Sequence, residues 1–278
     1  MLRISTVSFP GFGIGEFNLN SVAFKVGSIE IAWYAVIIAI GMVFAVAYTM
    51  HQSKKIGITT DDILDFAIFT IPIGIVGARL YYVLSKPDNF HSFQEIINIR
   101  NGGLAIYGGL LAGALSVFVI CLVKKIRFTA LGDCCMPGIL MAQAIGRWGN
   151  FMNGEAFGYE YDGLFRMSLN NVLTSYKTVY VHPTFLYESL WNILGFVLIV
   201  FLFKRFKSYD GEILLVTGAW YGLGRMFIEG LRSDSLYTNI GSLSFRTSQV
   251  LAAIIFVLFT ALIVYFRIRK PKAEMYHK

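Results

Sequence analysis

Seven stretches of about 20 mainly apolar residues recur along the chain, and nothing else in it limits the fold so strongly. They cover about 31–50, 63–84, 104–123, 131–152, 184–203, 211–231 and 247–266. A helix of that length crosses the hydrocarbon core of a bilayer. In lipid, only helices or closed barrels can satisfy their own backbone polar groups. The pattern predicts an all-α integral membrane protein with seven transmembrane helices. Charged residues make up 15% of the chain, against about 25% in soluble domains. The spans use up most of the 278 residues, so a single polytopic membrane domain over 1–278 is expected.

The connections set the topology. The longest, 153–183, carries Phe157, Tyr159, Tyr161, Phe165, Tyr176 and Tyr180 and reads as a small head of short strands or helices between spans four and five. Residues 1–30 mix Phe9, Phe12, Phe17 and Phe24 with glycines, which predicts a segment lying at the membrane interface. They hold no continuous apolar core of the kind a cleavable signal peptide has, so span one is expected to direct insertion. Thirteen Lys and Arg fall on the side of Lys54 and Lys55 (Lys124, Lys125, Arg127, Lys204, Arg205, Lys207 and the tail from Arg267 to Lys278), and eight fall on the other side in longer loops. That asymmetry puts the N-terminus and the 153–183 head outside and the C-terminus in the cytoplasm. It also accounts for most of the net charge of +7, together with attraction to anionic lipid. No basic module stands apart from the spans, so nucleic acid is not an expected partner. Cys121, Cys134 and Cys135 are odd in number and lack metal-ligand spacing, which reads as buried small apolar residues.

Ionisable residues inside the spans point to function, because such charges are costly unless they face protein or a water-filled cavity. The stretch from Gly146 to Gly158 closes span four with Arg147, Asn150, Asn153, Glu155 and four glycines. Arg79, Arg147 and Arg225 lie five, five and six residues before the outer ends of spans two, four and six. At the helical rise this is roughly 8–9 Å of depth for each, which predicts one cationic layer in the outer half of the membrane. Tyr221, Arg225, Glu229 and Arg232 fall on one helical stripe roughly 80° wide, and Arg147 shares a face with Asn150. Guanidinium keeps its charge and offers a planar fork of donors suited to phosphate. The alternative for Arg79 and Arg225 is to snorkel outward or to tie helices together, Arg225 through Glu229. Glu155 could cap the segment after it or neutralise an arginine. His182, before Pro183, fits an interfacial cap as well as a catalytic group. Tyr34 and Tyr107 fit belt tyrosines, Asp65 a structural role, and His51, His91 and His277 exposed positions. A lipid or anion transporter would use the same arginine layer. It would also need internal repeats and a polar path inward, whereas the inner half is apolar apart from Asp65, Asp133 and Gln143. A scaffold for another envelope enzyme would leave the charged layer without a purpose.

Read as G-R-x-G-N-F-x-N-x-E-x-x-G, the stretch Gly146–Gly158 resembles the signature of the prolipoprotein diacylglyceryl transferase family. Further blocks resemble that family in its order: Phe9-Pro10 with Trp33-Tyr34, Gly102-Gly103-Leu104 to Gly108-Gly109, His182-Pro183 through Leu186-Tyr187-Glu188, and Tyr221 to Arg232. The resemblance covers nearly the whole chain. It implies a seven-span enzyme of the bacterial inner (cytoplasmic) membrane that moves the diacylglyceryl group of phosphatidylglycerol onto the lipobox cysteine thiol of a preprolipoprotein, releasing glycerol 1-phosphate. By that resemblance Arg147 binds the headgroup and Arg225 is a second essential cation. Tyr34, Asn150, Glu155, Gly158, Tyr221, Glu229 and Arg232 match further functional positions. No metal or cofactor is implied. Where many members carry His-Gly-Gly, this chain has Tyr107-Gly108-Gly109. A phenol of pKa about 10 is a poor base at neutral pH. The base is then Glu155 or His182, or Tyr107 serves only to orient a headgroup. A divergent paralogue with altered activity is the remaining alternative.

Overall fold

The computed structural model describes residues 4–90, 92–99, 102–235, 237–240, 243–269 and 275–277. Arg3, Arg100, Lys270, Lys272 and Lys278, counted above for orientation, and His91 lie outside the described residues. The chain divides into two compact units, residues 1–48 with 133–274, and residues 49–132 with 275–278.

The helices are α1 (Trp33–Ser53), α2 (Thr60–Ser85), α3 (Phe93–Ile97), α4 (Ile106–Lys124), α5 (Phe128–Met152), α6 (Thr184–Phe201), α7 (Glu212–Ile228) and α8 (Thr247–Arg269). Among the described residues, six helices are long and apolar enough to cross a membrane. The chain is thus a mostly helical, multi-pass membrane protein. The seventh stretch, α7, is 17 residues long and carries the ionisable stripe.

Within the first unit, small residues bring α1 and α5 together. A side chain at Gly41 would meet the Ala142 carbonyl, one at Gly138 would meet Tyr48, and one at Gly149 would meet Tyr34. Close backbone approach of this kind is what drives helix packing where lipid is as apolar as leucine. Helices α6 and α7 are pinned by a reciprocal pair. Trp191 and Trp220 stack with ring centres 4.4 Å apart. Each indole N–H donates to the other residue's carbonyl, at 3.1 and 3.0 Å. The rings lie over Gly224 and Gly195, where any Cβ would collide with them. This satisfies two buried donors and fixes the α6–α7 register. The N-terminus of α7 is held by Asp133 of α5, which accepts from Gly211 N at 2.7 Å and Leu214 N at 2.8 Å and pairs with Lys207. A carboxylate there answers the orphan amides and positive end of the helix.

The chain is mostly helical rather than all-α, and the correction lies in residues 1–30. Residues 4–32 form strands β1 (Ile4–Phe9), β2 (Ile14–Asn20), β3 (Val22–Val26) and β4 (Ile29–Ala32). The connection after α5 adds β5 (Met167–Asn170) and β6 (Val179–Val181), giving a four-stranded antiparallel sheet in the order β2-β1-β5-β6. Val7, Leu19, Met167, Leu169 and Val181 form its buried face, packed with Phe185 of α6 and against Phe151 and Met152 of α5. No local run in residues 1–30 is apolar enough to announce this core. Its other half comes from residues some 160 positions away. Strands β7 (Tyr237–Ile240) and β8 (Leu243–Arg246) form a separate hairpin before α8.

In the second unit, α2 and α4 approach at Gly77, Gly108 and Ala112, where an added Cβ would clash. A capping box of Thr59 and Asp62 starts α2, and Asp62 and Asp65 both pair with Lys124, at 2.9 and 2.7 Å. Arg79 does not contribute a free cation. Its five N–H groups donate to the carbonyls of Glu95, Ile96, Asn98, Gly102 and Gly103, at 2.7–3.0 Å. A guanidinium has five donors, so Arg79 has none to offer a phosphate and serves as the hub of its loop. The expected layer of three arginines therefore loses this member.

Candidate active site

The signature stretch begins on the last turns of α5. Arg147 and Asn150 share a face there, with Nη1 3.5 Å from the Asn150 amide oxygen. Beyond Met152 the chain reverses through Gly154 at φ +59°, in the left-handed region that favours glycine. The site is also crowded, since a Cβ on Gly154 would meet Ser5 and Asn171. Asn171 donates to the Gly154 carbonyl at 2.8 Å, tying the turn to the sheet. The reversal brings Glu155 back to its own helix. Asn150 and Asn153 both donate to its Oε1, at 3.3 and 3.0 Å, so the two amides orient this carboxylate. Tyr34 sits over Gly149, within electrostatic reach of Arg147 and Glu155.

Gly158 marks where a second segment joins. Helix α7 ends at Ile228, and Glu229–Leu231 form one 3-10 turn. Arg232 is extended, so it leaves the helical stripe expected for it. It returns by pairing: Tyr159 N donates to Leu231 O at 2.9 Å, Gly158 bridges Arg232, and Ser233 Oγ donates to Phe157 O at 3.0 Å. A Cβ at Gly158 would strike His182 Cβ and the Leu231 carbonyl, so only glycine lets these strands close. Arg246 fastens the same turn, donating to the Glu229 carbonyl and to the hydroxyls of Tyr159 and Tyr237, each at 3.0 Å.

These elements bring Arg147, Arg225 and Arg232 together around Glu188 of α6. Glu188 Oε2 lies 2.5 Å from Arg147, and Oε1 lies 2.9 Å from Arg225 and 3.4 Å from Arg232. Arg225 also pairs with Glu229 at 2.5 Å. Asp234 takes Arg232 in a fork, at 2.9 and 2.8 Å. Burial works against the Asp234 charge, but the guanidinium outweighs it and holds that carboxyl below the usual range. Ser189, next to Glu188, donates to the Ala144 carbonyl at 3.0 Å and fixes α6 against α5. Glu188 and Glu229 are buried, at 6% and 2% side-chain exposure, while Arg147 and Arg225 keep 22% and 15%. The cations, not the carboxylates, are therefore what an approaching group meets. Tyr221, one turn before Arg225, is within electrostatic reach of Arg147.

Glu188, Asp234 and Arg246 were not singled out from the sequence by their chemistry. Glu188 carried a signal, since it is an ionisable residue inside an apolar stretch, the same mark that identified Arg147. His182 lies against Gly158, whose N–H donates to its carbonyl at 2.9 Å. Its ring stacks on Tyr161 at 3.9 Å and Nδ1 lies 3.2 Å from the Tyr187 hydroxyl. Burial holds its imidazole below the ordinary range. The folded protein then takes up this proton less readily than the unfolded chain. The stability associated with neutral His182 is complete above about pH 6.5 and declines as pH falls through that value toward the lowered one. Acidification from about pH 7 to 5 should lower the melting temperature more steeply in the parent than in His182→Gln; parallel slopes would remove this role. Tyr107 is the second residue of α4, in the second unit, beside the Gly108 contact with Gly77.

An array of guanidiniums with a nearby oriented carboxylate can hold a phosphate and accept a proton. The family model described as prolipoprotein diacylglyceryl transferase matches residues 21–265. Among curated proteins, the phosphatidylglycerol–prolipoprotein diacylglyceryl transferase of Enterococcus faecalis is 42% identical over 94% of this chain and 95% of its own length. The protein of that name from Listeria welshimeri is 42% identical over 92% and 93%. The transferase 1 of Clostridium perfringens is 44% identical over 79% and 85%. A family model over residues 21–265 and relatives 42–44% identical over most of the chain place it in the prolipoprotein diacylglyceryl transferase family.

Proposed function

We propose that the protein transfers the diacylglyceryl group of phosphatidylglycerol to the lipobox cysteine of preprolipoproteins at the bacterial inner membrane. The observation that carries this reading is the convergence of Arg147, Arg225 and Arg232 on one locus at the end of the signature stretch. In this reading α7 with its terminal turn completes a set of seven spans, the N-terminus and the 153–183 head lie outside, and the basic tail lies in the cytoplasm. The single membrane domain over 1–278 then carries the head as an insert.

The reaction forms a carbon–sulfur bond and breaks the carbon–oxygen bond to phosphate. Glycerol 1-phosphate leaves, and the thiol proton passes to a base. Negative charge grows on the phosphate as the bond breaks. Arg147 and Arg225, fixed where water is scarce, stabilise that charge more in the transition state than in the ground state. The attacking sulfur must be thiolate, which a free thiol near pKa 8.5 supplies poorly at neutral pH. The same guanidiniums favour the thiolate, and Glu155, oriented by Asn150 and Asn153, is the base this geometry supports. Tyr34, Tyr221 and Gly158 shape the headgroup site, Glu229 and Arg232 hold Arg225 and Glu188, and His182 belongs to the head's packing. A transport path has less support. Of the inner polar residues it would need, Asp133 is taken by the α7 cap and Asp65 by Lys124.

Purified protein given phosphatidylglycerol and a lipobox peptide is expected to yield a lipidated thiol and glycerol 1-phosphate in equal amounts, read by mass spectrometry; absence of both would overturn the reading. Tyr107→Phe is expected to retain transfer, because in this reading Glu155, oriented by Asn150 and Asn153, is the base. Loss of transfer in a folded Tyr107→Phe protein would return Tyr107 to the chemistry.

A further inference from the structure

The charge count around Glu188 raises a question that headgroup binding alone does not answer. Three guanidiniums, Arg147, Arg225 and Arg232, face three carboxylates, Glu188, Glu229 and Asp234. Each of these guanidiniums already has a carboxylate partner, so a phosphodiester placed among them must compete with a carboxylate for the same donors. The carboxylates are not equivalent. Glu229 belongs to Arg225 and Asp234 to Arg232, each through its own pair. Glu188 alone of the three is shared by all three arginines, and it pairs with Arg147 through its second oxygen.

The geometry has a second feature. Glu188 directs one oxygen to Arg147 and the other to Arg225 and Arg232. A carboxylate spaces its two oxygens much as a phosphodiester spaces its two non-bridging ones. The arrangement that satisfies Glu188 is thus the arrangement a phosphate would need. Glu188 is also placed to yield. Arg232 commits Nε and Nη2 to Asp234 and leaves Nη1 at 3.4 Å from Glu188, a long contact with room to tighten. If Arg147 and Arg225 turned to a phosphate, Glu188 would keep a partner, and the heavy penalty for a lone buried carboxylate would not arise.

We propose that Glu188 is an internal stand-in for the substrate phosphate: it holds the Arg147 and Arg225 guanidiniums in receiving geometry before the lipid arrives, cedes them to the phosphodiester, and falls back on Arg232. This rests on the reading of Arg147 and Arg225 as the headgroup site. Glu188 thereby acts as a positioning residue with a competing charge. It preorganises the cations and weakens their grip on the product, since the phosphate monoester that leaves must compete with it for the same donors.

The test is binding of sn-glycerol 1-phosphate to the full-length protein in phosphatidylcholine nanodiscs, by calorimetry, beside transfer kinetics with phosphatidylglycerol. Glu188→Gln keeps the shape and removes the competing charge, so it should bind the phosphate about tenfold more tightly. Its KM for phosphatidylglycerol should fall together with kcat, because product release slows. Glu188→Asp, whose shorter arm reaches the arginines less well, should tighten binding in the same direction by a smaller factor. A residue that merely held the arginines in place would weaken binding in both variants. Binding no tighter than the parent in either variant that folds overturns the proposal. Arg147→Ala separates the two ideas: it should lose the phosphate, and if it binds like the parent, the headgroup reading fails whatever the Glu188 variants do.

Discussion

Arg147→Ala is expected to lower kcat/KM for diacylglyceryl transfer by roughly a thousandfold while the protein remains folded. The removed group is a full charge on a rigid fork, aimed at the place where phosphate charge develops. Losing one preorganised donor of this kind costs about 10²–10³ in rate in well-studied sites, and a cation partly shielded from water should reach the upper end. The fold should survive because Glu188 retains Arg225 and Arg232. Arg147 is also not among the buried residues that build the sheet core. Arg147→Lys should recover only part of the activity, since it restores charge but not the planar pair of donors. The measurement is initial rate of peptide lipidation against phosphatidylglycerol concentration, with a thermal melt of the same preparation. Full activity in Arg147→Ala would sink the headgroup role.

The second large effect is on stability. Arg79→Ala should lower the melting temperature by about 5 °C or more, because it removes five hydrogen bonds from a charged donor, each of a kind worth about 1.5–3 kcal/mol. Five carbonyls of the 95–103 segment share this one guanidinium. Gly103, at φ +79°, lies so close to Nη1 that a Cβ there would overlap it, so the loop is built around the arginine. Lysine offers three donors from one point rather than five from a plane, and Arg79→Lys should recover little. Thermal melts in detergent and limited proteolysis between residues 86 and 105 provide the readout. A variant that kept its melting temperature and lost transfer would instead put Arg79 back among the substrate-binding cations.

These two arginines looked alike in the sequence. Both lie about five residues from the outer end of an apolar stretch, and depth was the only quantity that one-dimensional periodicity could supply. What separates them is the identity of the acceptors. Arg79 meets backbone carbonyls contributed by a loop 16–24 residues further on, and any residue type can provide a carbonyl. Arg147 meets Glu188, 41 positions away, on a different helix. The stripe from Tyr221 to Arg232 shows the same limit. Helical spacing correctly joined Arg225 to Glu229, which pair across one turn. It did not foresee that the helix ends at Ile228 and that Arg232 returns to the cluster through backbone pairing with the 157–159 segment.

The sequence by itself determined the membrane class, the bounds of the long helices to within a few residues, and the signature stretch that marks the family. Those properties depend on local composition, on a length matched to the bilayer, and on residue identity at fixed spacing. The tertiary structure alone decided that residues 4–20 join a sheet with 167–181, and that Glu188 stands at the centre of three arginines. It also decided that Arg79 is spent on its own loop. Strand pairing and ion pairing are both contacts between residues distant along the chain. Their partners are chosen by which faces meet once glycines and stacked indoles have set the helix register, and no local window of sequence carries that choice.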